Sequence, residues 1–576
     1  MRRWTRVAEQ IHRFDDSACV YALADGDRAL LIDLGSGACL DHLAELGVTR
    51  VEGIWFTHAH RDQCQGWPRA TGIGLHLPPA AQPQLDAASR PDYLLPSPCH
   101  IRYPWPFRLA APIDDALYDL QPGRELAFGA LDLTVVAAPG HCDHQVAVLA
   151  EGPDGVTLFC GDAMHSAGRV HEGYHLENDH YTGAGTRLAA DTLRALRNLR
   201  ADRLCPSHGP VTSGGVWQAM TETIEALTAL ADLRDTNLPG RPAVQRLVRS
   251  RPGEFAQVSE HLWLCDNSYY LRSDDGPVLL VDADVNPGRW REGYRAVFGD
   301  RPIEVVLVSH AHCDHVMGIE PLRAEQPLAC WAHERLVEVI EQPEAFARPW
   351  MHDAPTRVDR PLAEGEPVRW REYELTSYWF PAQTALHAVY SLTIDGRRAL
   401  FAGDNFYPAQ QWGGTGGLSG FNGGQPHLWR QSAELVLSLA PDWILASHRQ
   451  PYPFRREDFE AVVAWSHEVE ARLAALAPDG RLGRHNDPHL LEARPYCQPA
   501  ATAREVALWC RNPYDAARTF TVTPVGIDAE TQETQVPPGQ ENRLVWSLGQ
   551  RRPRMVTFDV WVDGEPWGQA AECYLR

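Results

Sequence analysis

Residues 306–315 read VLVSHAHCDH, and residues 54–63 read IWFTHAHRDQ. Both open as short apolar runs, the pattern of a buried strand, and end in ligand-type side chains. On a loop directly after a strand, alternate side chains can converge on one side. In the later copy His310, His312, Asp314 and His315 can therefore face one point. Imidazole suits zinc and related transition metals, and carboxylate can bridge ions or complete a coordination shell.

Around these two segments the chain repeats itself in order. VAEQIHRFDDSACVYAL (7–23) resembles VSEHLWLCDNSYYLR (258–272), and RALLIDLG (28–35) matches PVLLVDAD (277–284). TLFCGDAM (157–164) matches ALFAGDNF (399–406), and RLCPSHGP (203–210) matches WILASHRQP (443–451). The interval far exceeds the roughly 20–50 residues of a solenoid repeat, so a whole domain is duplicated. Helical periodicity around 187–200, 216–235 and 456–477 alternates with the strand-like runs, which implies sheet layers covered by helices. Loop signals in TNLPGRP and SRPGE place a linker at 236–252, between domains at 1–235 and 253–478. Over 485–576, EVALWC, TFTVTPV, NRLVWSL and RMVTFDVWVDG alternate polar and apolar, which predicts a small antiparallel β-sandwich, possible as an immunoglobulin-like domain.

The later copy adds His387, Asp404 and His448, each near a strand end. Any one such histidine is ordinarily a surface or satisfied core residue; the ordered set is not. HxHxDH, then a lone His, an Asp after a Gly-Asp turn and a last His after a strand resemble the metallo-β-lactamase superfamily. The resemblance covers about 1–235 and 253–475. It implies an α/β (α+β) architecture: two tandem αββα metallo-β-lactamase-fold domains with metals at one sheet edge, followed by the sandwich. By that resemblance His310, His312 and His387 hold one ion. Asp314, His315 and His448 hold a second, and Asp404 bridges. Zinc is the expected metal, two ions per complete site, with iron or manganese open. Asp33 and Asp282, which end the strand before each HxH loop, would buttress that loop; the alternative is a simple strand-ending turn.

The earlier copy offers His58, His60, Asp62, His141, Asp162 and His208 at similar spacing. Gln63 stands where the family pattern has His, and a neutral amide oxygen is a poorer ligand than imidazole. Three readings stay open: two metals with Gln63 as a weak ligand, one metal, or a scaffold. THAHRDQCQG is also similar to a bacterial subgroup of unknown substrate, which narrows ancestry more than chemistry.

The resemblance implies a metal-dependent hydrolase, in which a hydroxide held by the ions attacks an ester, thioester, lactone or related small substrate. Asp314 and Asp404, with Asp62 and Asp162 in the earlier copy, would be the catalytic carboxylates that orient it and relay its proton. A phosphodiesterase or nuclease of the same fold competes, as does a non-catalytic metal-binding sensor or scaffold. Redox di-iron relatives place Glu within the HxH block, where Ala59 and Ala311 stand here. Loops after Asp162 and Asp404 carry His165, His171, His175, His180, Tyr174, Tyr181, Tyr407, Trp412 and Phe421. These could cover a substrate or pack one copy on the other.

A net charge of −22 opposes non-specific binding to nucleic acid or anionic membrane, so neither partner is expected. The chain contains no lysine, and base bias in the genome explains that more simply than function. The N-terminus lacks an apolar signal region, and the 13 cysteines lack a CxxC pair, which suggests reduced thiols in a cytoplasmic protein. Cys64, Cys142, Cys160 and Cys313 read as small buried residues rather than nucleophiles. Homo-oligomer formation is left open.

Overall fold

Each copy builds two sheets with the same strand order. In the first, Trp4–Arg6, Ile11–Phe14, Val20–Asp25 and Arg28–Ile32 run antiparallel, and Arg50–Trp55 and Leu75–His76 join in parallel. The second sheet runs antiparallel from Glu125–Phe128 to Gly155–Gly161. Arg203–Pro206 then pairs parallel and Thr212–Ser213 antiparallel. The later copy repeats both orders, from Ala256–Gln257 to Ala329–His333, with Arg360–Leu362 added in parallel as a seventh strand, and from Pro367–Trp370 to Gln450–Pro453. These features come from a computed structural model that describes residues 3–87, 112–113, 115–177, 184–234, 245–274, 276–284, 291–352, 354–408, 420–550 and 552–576. Tyr181, His180 and Trp412 lie outside them.

The apolar runs become strands buried on both faces; all of Val278–Val281 is buried, as central parallel strands between layers require. Within each copy the two sheets pack face to face. Tyr21, Ile32 and Trp55 meet Val135, Val148 and Phe159 in the first. Leu279 and Leu307 meet Leu375, Tyr390 and Phe401 in the second. Outer faces of the first sheets carry their own coverings. The outer faces of the second sheets share one helical layer, built from Ala184–Arg197, Val216–Arg234, Pro426–Leu439 and Arg456–Leu476. Trp429 is fully buried there, and the Trp465 indole donates to the Leu233 carbonyl at 2.8 Å across the two copies. The observed helices agree with the periodicity read from sequence.

The last part of the chain forms a three-stranded sheet (Leu491–Ala493, Glu505–Arg511, Glu541–Ser547) and a five-stranded one ending at Glu565–Leu575. Val506, Leu508, Phe520, Val522, Trp546 and Phe558 form the core between them. One pair departs from the antiparallel pattern: Cys497–Gln498 runs parallel to the final strand, because the chain crosses between sheets just before it. Among the described residues eleven cysteines are free and buried, while Cys313 is disulfide-bonded, an exception to the expectation of reduced thiols. No described helix is long and apolar enough to cross a membrane.

Candidate metal centres

The backbone explains why HxHxD[HQ] converges. His60 and His312 are extended (φ −69°, ψ 153° and φ −70°, ψ 151°), and the short helical turns Arg61–Cys64 and Cys313–Val316 follow. Extended geometry sends residues 310 and 312 to the same side, and the turn folds 314 and 315 back toward them. Asp33 and Asp282 end their strands in the left-handed region (φ 58° and 62°). Each takes the next loop's backbone: Thr57 N donates to Asp33 Oδ1 at 2.8 Å, and Ser309 N to Asp282 Oδ1 at 2.7 Å. They are loop buttresses, not simple turns.

Both Gly-Asp turns follow a register shift in the parallel pairing, between Phe159 and Gly161 and between Phe401 and Gly403. Gly403 has φ 53°, and a Cβ there would lie 2.5 Å from His387 Nε2 and 2.7 Å from Ser309 Oγ. Glycine lets the strand end pass close to the imidazole and aim Asp404 into the cluster.

In the later copy all seven residues singled out from the sequence meet at one sheet edge. The His310 and His387 rings stack at 4.7 Å, and His310 Nε2 lies 3.1 Å from His312 Nδ1. Asp404 sits between two groups: Oδ2 is 3.9 Å from His310 Nε2, and Oδ1 is 3.4 Å from His315 Nε2 and 3.1 Å from His448 Nε2. Asp314 Oδ2 lies 3.5 Å from His315 Nε2 and 3.4 Å from His448 Nε2. Two sets of ligand atoms fall within 4.8 Å of one another: His310, His312 and Asp404, and Asp314, His315 and His448. His315 Nδ1 bonds Asp282 Oδ2 at 2.8 Å.

Charge and burial divide the site. Burial pulls the His310 and His312 imidazoles down and His387 to about 3, which keeps them neutral, the form that binds metal. His315 is buried and His448 is partly exposed; in both, neighbouring carboxylates outweigh desolvation and push the imidazole up. Burial would raise Asp404, yet His448 and His315 hold it well below the usual range. The site therefore calls for positive charge between its carboxylates. Both ring nitrogens of His387 and Nε2 of His315 are buried without a hydrogen-bond partner among the described residues. Buried imidazole nitrogens left open beside carboxylates fit divalent cations.

In the earlier copy His58, His60 and His141 cluster, with His141 Nε2 3.2 Å from His60 Nδ1. Asp162 Oδ2 is 3.6 Å from His58 Nε2 and 3.7 Å from His141 Nε2. His208 reaches Asp162 Oδ1 at 2.9 Å and Asp62 Oδ2 at 3.2 Å. Gln63 donates its amide to Asp162 Oδ2 at 3.1 Å.

Several neighbours were not read from sequence as supports of the ligands. Tyr407 donates to Asp404 Oδ1 at 3.0 Å, Gln383 to Asp404 Oδ2 at 3.2 Å, and Asn422 Oδ1 lies 3.2 Å from His312 Nε2. Ala59 N donates to His144 Nε2 at 3.0 Å. Position relative to the ligands was the only sequence signal for Tyr407, three residues after Asp404. Of the loop aromatics, Tyr174 and Phe421 pack on each other at 5.7 Å across the copies. Arg61, inside the first metal loop, is ion-paired with Glu572 of the terminal sheet, and both are buried.

A profile of the metallo-beta-lactamase superfamily matches residues 14–208 and 266–448, more than half of the chain. The chain belongs to that superfamily. A hydroxyacylglutathione hydrolase of Neisseria meningitidis is 41% identical over 56 residues, 10% of this chain and 22% of that protein. The chain thus spans about a fifth of the length of such relatives. Hydroxyacylglutathione hydrolase of Hahella chejuensis is 28% identical over 207 residues, covering 35% of this chain and 68% of that one. That of Albidiferax ferrireducens is 27% identical over 241 residues, covering 40% and 80%. Among solved structures, the subclass B3 metallo-beta-lactamase BJP-1 of Bradyrhizobium japonicum aligns at TM-score 0.31 and 19% identity, over 39% of this chain and 94% of that chain.

Proposed function

We propose that the later copy is a two-metal centre that hydrolyses a small thioester or carboxylic ester. The observation that supports this is the convergence of His310, His312, His387, Asp314, His315, Asp404 and His448 with buried imidazole nitrogens left open. His310, His312 and His387 would hold one ion and Asp314, His315 and His448 the other, with Asp404 lying between the two sets. The His and Asp donor set suits zinc. When bound, two such ions supply Lewis acidity and lower the pKa of water toward neutral.

The chain's own residues divide the remaining work. Asp404, 7% exposed, is held by Tyr407 and Gln383 and positions the ligand set. Asp314, 33% exposed, is the carboxylate open to substrate and solvent, and it carries the proton from attacking water toward the leaving group. Asp282 holds His315 in the tautomer that leaves Nε2 free. In the earlier copy Asp62 and Asp162 take the corresponding places. The thioester preference draws on the relatives named hydroxyacylglutathione hydrolase, and the acidic chain disfavours polyanionic nucleic acid.

The test is metal content of the purified chain, followed by rates of His310→Ala and Asp314→Ala on thioester, ester, lactone and phosphodiester substrates. Loss of thioester or ester turnover in both variants is expected. Unchanged turnover in both would remove the later copy from the chemistry.

A further inference from the structure

Aligning the two copies leaves the earlier one a ligand short, because Gln63 replaces the counterpart of His315. The fold supplies an imidazole from elsewhere. His171, on the loop after Asp162, offers a ligand atom within 4.8 Å of ligand atoms of Asp62 and His208. Its ring stacks on His208 at 3.7 Å with 7° between planes. Asp62 Oδ1 is buried with no hydrogen-bond partner among the described residues. Gln63 commits its amide N–H to Asp162 Oδ2, and its Oε1, buried without a hydrogen-bond partner among the described residues, is a neutral amide oxygen and a poorer transition-metal ligand than imidazole.

The later copy has the matching set Asp314, His315 and His448. The aspartate and the last histidine correspond in sequence; only the third donor changes origin. The loop that brings His171 is held by the end of the later copy and the segment that follows it. Val170 N donates to Leu476 O at 2.9 Å, Arg169 bonds the Ala477 carbonyl, and Glu172 N donates to His485 Nδ1 at 3.4 Å. Such anchoring fixes a ligand that a free surface loop would not hold.

The geometry points to His171 as a replacement ligand, so that the earlier copy binds a second divalent transition cation through Asp62, His171 and His208. This rests on the two-ion reading proposed above, extended to a site where the local motif is incomplete. A neutral imidazole and a carboxylate favour zinc over magnesium or calcium there. Gln63 then acts by orienting Asp162 through its hydrogen bond, not by ligation.

Metal-stripped full-length chain is dialysed against zinc, and separately against cobalt, and bound ions are counted by elemental analysis. His171→Asn is expected to hold one ion fewer than the unsubstituted chain, with a changed cobalt spectrum, while Gln63→Ala holds the full number. An unchanged count in His171→Asn, or a lost ion in Gln63→Ala, overturns the assignment. Thermal unfolding confirms that each variant is folded. Should His171→Asn fail to fold, Asp62→Asn reads the same ion, and an unchanged count there is equally fatal. His312→Asn reports separately on the later copy: if that variant loses no ion while His171→Asn does, the proposed function fails and the His171 site stands.

Discussion

Asp282→Asn isolates what the buried carboxylate does for the later metal loop. Asparagine keeps the size of the side chain and tolerates the left-handed backbone at φ 62°, so the strand end is preserved. The native carboxylate accepts from Ser309 N at 2.7 Å, Ser309 Oγ at 2.7 Å and His315 Nδ1 at 2.8 Å. An amide has one acceptor oxygen. If that oxygen stays on the Ser309 backbone, the amide N–H faces His315 and must donate to Nδ1. The ring proton then moves to Nε2, the nitrogen that faces Asp314 and Asp404 at 3.5 and 3.4 Å. A protonated Nε2 cannot bind metal. Loss of such supporting contacts typically costs about 10–100-fold in metal affinity, which corresponds to about 1.4–2.7 kcal/mol.

The assay is competition with a chromophoric chelator, which resolves tight and weak ions. One ion of the full-length chain should weaken by that factor. Asp33→Asn is the internal control. There the side-chain partners are the Thr57 and Ser207 hydroxyls, at 3.0 and 2.7 Å from Oδ2, and hydroxyls rotate to accept as readily as to donate. Affinity in that variant should stay within about threefold, less than the tenfold that 1.4 kcal/mol represents. If Asp282→Asn binds every ion as tightly as the native chain, or if Asp33→Asn weakens more, the tautomer argument is wrong.

Glu572→Gln should destabilise the chain by about 3–5 kcal/mol, because it leaves the buried Arg61 charge without its carboxylate; denaturant unfolding at neutral pH measures it. Trp429→Ala, at the fully buried centre of the shared helical layer, should cost about 3–5 kcal/mol, and fluorescence and circular dichroism should report one joint loss of both copies. His261 is held above its ordinary value by its hydrogen bond to Asp395, 2.6 Å away. That pair's stabilisation is complete below about pH 6.5 and is lost as pH rises through the raised folded value. The stability difference between the native chain and His261→Asn should therefore shrink as pH rises above about 6.5, and a difference that is flat with pH refutes it.

The ligand motifs were legible because their geometry is local: an extended pair of histidines, a helical turn, and a glycine that lets Asp404 approach His387. His171 was not legible. The loop also carries His165, His175 and His180, and nothing nearby in sequence distinguishes the one that is seated by Leu476 and His485. Gln63 announced a missing ligand, but the direction of its amide is set by Asp162, which is remote in sequence. Helical periodicity marked the apolar faces of 216–234 and 456–476 without saying that the two helices pack against each other across the copies. The parallel partner of the last strand, Cys497–Gln498, is too short to carry a pattern.

The pairing of Arg61 with Glu572 sets an order on how the chain matures. A ribosome releases the earlier copy before Glu572, so the guanidinium between His60 and Asp62 lacks its ion-pair partner until that residue has emerged. A nascent chain halted before residue 572 would carry the earlier centre with its loop unsecured.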